Sequence, residues 1–456
     1  MALVSGSRRQ SHWSANWALV CVGLVILVSV AQVMAMTTGT SASKGQFEYG
    51  RPYDVAKTDG GSLSLWSESF EELTKHGAHI VAGHLTLEAN GFALPAYVNS
   101  PQIVYAARNF LRWCRGFRKA SFSCSAHVGL MTPMGISAAI QRISEGDVVV
   151  IPRGWASWAC NHQERRFKAL FVADLSEHAG ISAKESSFAL AGSMKDLGEG
   201  WRQGSVLHGF TKDVLAAAWD VEERDVEKLL NSQRESVITK VSREAAESYV
   251  SSEPSAAGFV GEFIYSLKNS QPDVFNEGGE FHLVNRNKLQ TLHKFGTDFA
   301  VAFAKLNKGA IGAPGWCVNA HHIVYFTKGS GRFQIAHPDG SNALDAHVRA
   351  GSVIVVPRFH AAVVLASKEE ELEYVVVFTS SLPIWVNMAG QNSVFQNMPA
   401  TVVKEAFNIP EDLLEKLRHR RTSHSIILPA PTTSEQKQQE PVEAKKPSQG
   451  LPYAFM

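Results

Sequence analysis

Asn99-Ser-Pro-Gln-Ile-Val-Tyr105 and, further on, Glu145-Gly-Asp-Val-Val-Val-Ile-Pro152 return in the same order as Asn319-Ala-His-His-Ile-Val-Tyr325 and Ala350-Gly-Ser-Val-Ile-Val-Val-Pro357. An ordered self-match at two places marks a duplicated domain, so fold and function belong to the repeat unit. The echo extends into a helical segment. Val214, Leu215, Ala218, Trp219, Val221, Val226 and Leu229 correspond to Val402, Val403, Ala406, Phe407, Ile409, Leu414 and Leu417 at a constant offset of 188. Each unit is therefore a β region followed by helices. The first copy carries 15 extra residues between its two β motifs, in a loop-like stretch around Arg108 to Gly135.

Working outward, the 456-residue chain is long enough for two or three domains with full cores. Hydrophobic residues make up 45% and charged residues 19%, and the net charge of +1 gives no electrostatic reason for nucleic acid as a partner. At the N-terminus Arg8 and Arg9 precede an apolar run from Trp17 to Met36 with a small-residue site at Val33-Met34-Ala35. That order predicts a secretory signal peptide over residues 1–36, an uncleaved anchor being the alternative because the run nears bilayer-spanning length. No later segment reads as membrane-spanning. Once Cys21 is removed with the signal, Cys114, Cys124, Cys160 and Cys317 remain. They allow three complete disulfide pairings, or buried free thiols.

Residues 37–61, rich in Ser, Gly and Thr, read as a flexible leader. A first folded unit over 62–242 has expected strands at 78–87, 102–107, 138–143, 148–151 and 168–173, short and bounded by Gly, Pro, Asn or Ser. Its amphipathic helix over 212–230, with Thr211 as N-cap, needs a surface for its apolar stripe: its own β region, the second copy or a neighbouring subunit. A linker follows at 243–275, with one short helix near Phe259 to Leu267, then a second unit at 276–428 and a disordered tail at 429–456.

Gly146 and Pro152, like Gly351 and Pro357, have five residues between them, and Pro152-Arg153-Gly154 completes a Gly-x5-Pro-x-Gly turn. This resembles the second signature motif of the cupin superfamily and implies an all-β fold of two tandem jelly-roll β-barrels, each followed by a helical segment. By the same resemblance the metal-ligand slots of the second copy hold Gly315, Cys317, His322 and Ala362; those of the first hold Pro95, Tyr97, Gln102 and Ser157. A cupin enzyme needs about three imidazole or carboxylate ligands around an open position. The first copy offers none. In the second, Cys317, His322 and His360 are the candidate metal ligands, with His360 two residues before the vacated slot and so on the same strand face. A soft Cys/His/His set suits copper or zinc; the competing reading is interior packing. Arg153 and Arg358 read as loop anchors, and Arg418-His-Arg-Arg421 as a basic helix end that complements the dipole. No Ser/His/Asp signature, phosphate loop or HExxH helix is present.

Gly91-Phe-Ala-Leu-Pro-Ala-Tyr97, Ser100 to Tyr105, Glu145 to Gly154, Leu190-Ala-Gly192 and Val214 to Leu230 resemble the first half of the legumin-type (11S) seed storage globulins. Asp273-Val-Phe-Asn276, Trp316-Cys-Val-Asn-Ala320, Gly329-Ser-Gly331 and Val356-Pro-Arg358 resemble the second half. Arg420-Arg-Thr-Ser423 and the short loops look most like the uncleaved, glutelin-like members. The resemblance implies a bicupin whose helical extensions dock protomers into trimers, and a nutrient reservoir without catalysis or cofactor, held in a vacuole, protein body or outside the cell. Two alternatives are a germin-like metal oxidoreductase or isomerase using the second copy, and a small-ligand-binding or desiccation-related cupin with an interior lined by residues such as Tyr97 and Trp158.

Overall fold

The computed structural model describes residues 46–67, 69–107, 125–133, 138–178, 186–192, 204–235, 237–251, 262–421 and 424–431. The expected signal segment, Cys114, Cys124 and nearly all of the C-terminal tail lie outside them.

Each copy contributes two antiparallel sheets. In the first copy, one sheet runs Ile264–Ser266, Asp147–Ile151, Gln102–Ala107, Phe167–Asp174, Ile80–Leu87, Gly61–Ser67, Tyr53–Thr58, and the other Ser187–Ala189, Gly91–Val98, Ala156–Asn161, Ser125–Met131, Ala138–Ser144. The second copy repeats both orders: Glu48–Tyr49, Val353–Val356, His322–Lys328, Leu372–Phe378, Ala300–Leu306, Gly279–Val284, Val274–Asn276, and Trp385–Asn387, Ile311–Cys317, Ala361–Ala366, Ser330–Ala336, Asn342–Arg349. Short strands at Ile238–Lys240 and Ile427–Leu428 add to the second sheet of their copies. The expectation of closed jelly-roll barrels is therefore corrected. All four sheets are open, each ending in distinct edge strands, and the two sheets of a copy are joined by side-chain packing rather than by a continuous hydrogen-bond ladder. Helices at Glu71–Lys75, Lys212–Trp219, Glu223–Ser232, Arg243–Ser251, Ala400–Phe407 and Glu411–His419 make the class mixed α and β rather than all-β.

The central strands are apolar on both faces because each face enters a different core. Along Ala300–Leu306, Ala300, Ala302 and Ala304 face the interior of the second copy, while Val301 and Phe303 join the core shared with the first. Ile323 and Tyr325 against Val324 and Phe326, and Val375 and Val377 against Val376 and Phe378, obey the same period of two. The shared core fuses the copies.

Strand exchange ties them further. Glu48–Tyr49 pairs with Val353 and Ile354 of the second copy, and Ile264–Ser266 pairs with Asp147 to Val149 of the first. The two ends match atom for atom: the N–H of Val355 donates to the Phe47 carbonyl at 2.9 Å, and that of Val150 to the Phe263 carbonyl at 2.8 Å. Both phenylalanines are buried, at 1% and 0% exposure. The leader expected to be flexible over 37–61 is thus built from strands over its described part, 46–61. Within the expected linker, Arg243–Ser251 is a helix, and residues 264–266, expected to be helical, form the exchanged strand. Strand Ser125–Met131 likewise occupies part of the stretch expected as a loop.

Where one helix is expected over 212–230, there are two. Asp220, at φ 55°, ends the first in the left-handed conformation, and Asn408, at φ 48°, does so at the equivalent place in the second copy. Asp and Asn tolerate that region better than other non-glycine residues. Thr211 sits at the N-cap position, but its side chain does not cap the backbone; its hydroxyl meets the Asp213 carboxylate instead.

Candidate functional site

Of the expected ligand slots in the second copy, Cys317 and Ala362 lie in its core, and His322 and Ala362 line its interior cavity. Gly315 pairs with Asn387 across the sheet, and a Cβ added there would collide with the Val386 carbonyl and crowd the Trp385 indole. Trp385 thus closes the first slot. Cys317 is buried, with Sγ 3.6 Å from Asn319 Oδ1, and burial pushes its thiol up. His322 opens its strand, its ring 4.9 Å from Phe378 and 5.3 Å from Trp385. Burial, and then the neighbouring His321, lower it to about 3. His360 lies in the turn before Ala361–Ala366, not on that strand face; the left-handed Phe359, at φ 66°, precedes it. Its Nε2 is 3.1 Å from His337 Nδ1. Among the described residues no group of three or more His, Cys, Asp or Glu is disposed to hold a metal ion.

What remains at the centre is a cavity of about 90 Å³, walled by Phe281, Val324, Phe333, Tyr374, Phe378 and Trp385, with His322 among them. The first copy holds a larger pocket, about 220 Å³, lined by Trp158, Phe171, Gln102 and Ser157 with many aliphatic side chains. Trp158 fits because residue 129 is glycine: a Cβ there would run into the indole ring. Tyr97 instead stacks on Phe188, at 4.9 Å and 5° between planes.

Two groups escaped the sequence reading. At the junction of the copies, His76 from the first stands 5.4 Å, ring to ring, from His360 and 6.3 Å from His321, with Phe47 packed 5.7 Å from His337. Lys268, from the connection, bridges Glu145 of the first copy at 2.9 Å and the buried Glu373 of the second at 3.3 Å. Only the folded pairing of copies assembles these groups, and no local spacing announces them.

The helix pairs carry the outward chemistry. Leu215 and Val226 pack together between the first pair, and Val403 and Leu414 are buried at the equivalent positions of the second. Outward face Trp219 (44% exposed) and Leu229 (52%) on the first pair, and Phe407 (55%) and Leu417 (60%) on the second. The offset of 188 thus divides most of the stripe alike in both copies, Val221 being exposed where Ile409 is half-buried.

Two copies of one antiparallel two-sheet unit, exchanging edge strands and each trailed by an apolar-faced helix pair, make this a duplicated β-sandwich protein with helical extensions. The cupin family model matches residues 265–412. The chain is 24% identical to 11S globulin seed storage protein 2 of Sesamum indicum over 90% of this chain and 97% of that one. It is 23% identical to glutelin type-A 3 of Oryza sativa subsp. japonica over 89% and 94%. The solved recombinant pro-11S globulin of pumpkin superposes with a TM-score of 0.73 at 20% identity, covering 86% of this chain and all of that one. The chain is similar to the legumin-type 11S globulins across both copies, so the resemblance read from its motifs holds.

Proposed function

We propose that this protein is a nutrient reservoir of the storage-globulin kind, without catalytic activity. The observation that carries this reading is similarity over nearly the whole chain, both copies included, to storage globulins. A two-sheet scaffold with two fused cores suits that role, because it asks of the sequence only that it pack and assemble. Abundance tests it: the protein should accumulate to a large share of total protein in the storage tissue and fall steeply on germination. Constant, scarce protein would remove the reading.

Assembly and destination belong to the same proposal. The matching apolar faces around Trp219 and Leu229, and around Phe407 and Leu417, are covered when the first helix pair of one protomer docks on the second pair of the next. Such a head-to-tail contact closes into a ring, here of three protomers. Entry into the secretory pathway through residues 1–36 leads to a vacuole, protein body or the outside of the cell. Among the described residues no helix is long and apolar enough to cross a membrane.

Metal binding by Cys317, His322 and His360 is the competing use of the second copy. Metal analysis of natively purified protein separates the two. The storage reading expects no stoichiometric copper or zinc; one equivalent of either, lost in Cys317→Ala or His322→Ala, would establish the metal site instead.

A further inference from the structure

We propose that the cavity inside the second copy binds a small uncharged organic molecule, of about four or five heavy atoms, whose single hydroxyl or carbonyl group is held by His322. His322 Nε2 is buried and has no hydrogen-bond partner among the described residues, and His322 forms part of the cavity wall. A polar nitrogen left unpaired in a protein interior forfeits its hydration for nothing, so native structures rarely keep one without a ligand or an ordered water.

Water fits this place poorly. A buried water typically makes about three hydrogen bonds. Of the described side chains around the cavity only His322, Tyr374 and Trp385 carry a polar atom, and the Trp385 indole N–H already donates to Asn387 Oδ1 at 2.8 Å. The remaining wall is Phe281, Val324, Phe333, Val376 and Phe378 with smaller apolar residues, which favours a molecule that is mostly hydrocarbon.

Charge and size narrow the class. Among the described residues no carboxylate, ammonium or guanidinium lines the wall, so an ion would lose its hydration with no counter-charge to replace it. Burial keeps the imidazole neutral, leaving its ring nitrogens to accept or donate a hydrogen bond according to tautomer. At about 90 Å³ the space is smaller than the roughly 150 Å³ apolar cavity that takes up benzene, which favours a molecule smaller than a six-membered aromatic ring. The equivalent position in the first copy is Gln102, in a larger cavity, so the two copies differ in what they can hold. The site is independent of the storage reading: a reservoir protein can carry it, and its failure leaves that reading intact.

The test uses the full chain at neutral pH with three five-heavy-atom probes: 2-butanol, 2-butanone and propionate. The 15N resonances of His322 report occupancy. Both neutral probes should shift them saturably and propionate should not, and affinity should fall by about fivefold to tenfold in His322→Phe. If that variant fails to fold, the wild-type shift at His322, set against the buried His84 outside this cavity, decides the matter. No saturable shift, equal affinity in His322→Phe, or preferred binding of propionate would overturn the proposal.

Discussion

At the scale of single residues, this chain keeps several imidazoles neutral in its interior. Burial, then His162 and Arg142 nearby, lowers His127 to about 4; burial, then Arg358, His76 and His360, does the same to His321. His84 is held well below the ordinary range by burial and Lys168. In the unfolded chain these side chains take up protons near pH 6.5. Between about 6.5 and 4 the unfolded state therefore binds more protons than the folded one, and stability falls as pH falls through that window. The lowered His127 contributes to this loss. Urea unfolding at pH 7.5 and 4.5 should show the loss, and His127→Gln, which can still reach His162 across the present 3.2 Å contact, should reduce it. Packing gives a second residue-scale expectation. Gly129→Ala forces a methyl group into the Trp158 indole and should destabilise by about 1–3 kcal/mol, with a shift in tryptophan emission.

At the scale of elements, the exchanged strands hold the fold together. Phe47 anchors a two-residue strand that covers the edge of Val353–Val356, and without it that all-apolar strand presents open backbone groups. Phe47→Ala should cost about 3–5 kcal/mol and promote aggregation; Phe263→Ala should do the same at the mirror position, both measured by chemical denaturation. Phe47-Glu-Tyr49 and Phe263-Ile-Tyr265 share a pattern in the sequence, but three residues are too few to separate from chance, so the exchange was not legible there. The Gly-to-Pro strands and the trailing helices were legible, because period-two and helical patterns run long enough to be read. The break at Asp220 was not: the apolar stripe continues across it, and only the backbone angle reveals two helices. Closed and open sheets also read alike in sequence, since short alternating strands suit both. Among candidate site residues, the vacated slots at Gly315 and Ala362 were legible as absences, whereas the pairing of His360 with His337 depended on a turn that carries it off the strand.

At the scale of the whole molecule, duplication yields one chain with two corresponding exposed apolar helix faces, the surfaces proposed above to dock. A symmetric pair of like faces would give a closed dimer; two faces on successive copies, meeting head to tail, give a ring. Leu229→Glu spoils the first face and Leu417→Glu the second, and neither side chain belongs to a described core. Native mass spectrometry of the wild type, each variant and an equimolar mixture therefore tests most directly whether the duplicated scaffold is built for assembly. The wild type should be a trimer and each variant alone a monomer. The mixture should form a one-to-one dimer, because the intact first face of one variant meets the intact second face of the other. Variants that keep the wild-type mass, or a mixture that stays monomeric while the wild type is trimeric, would contradict the account.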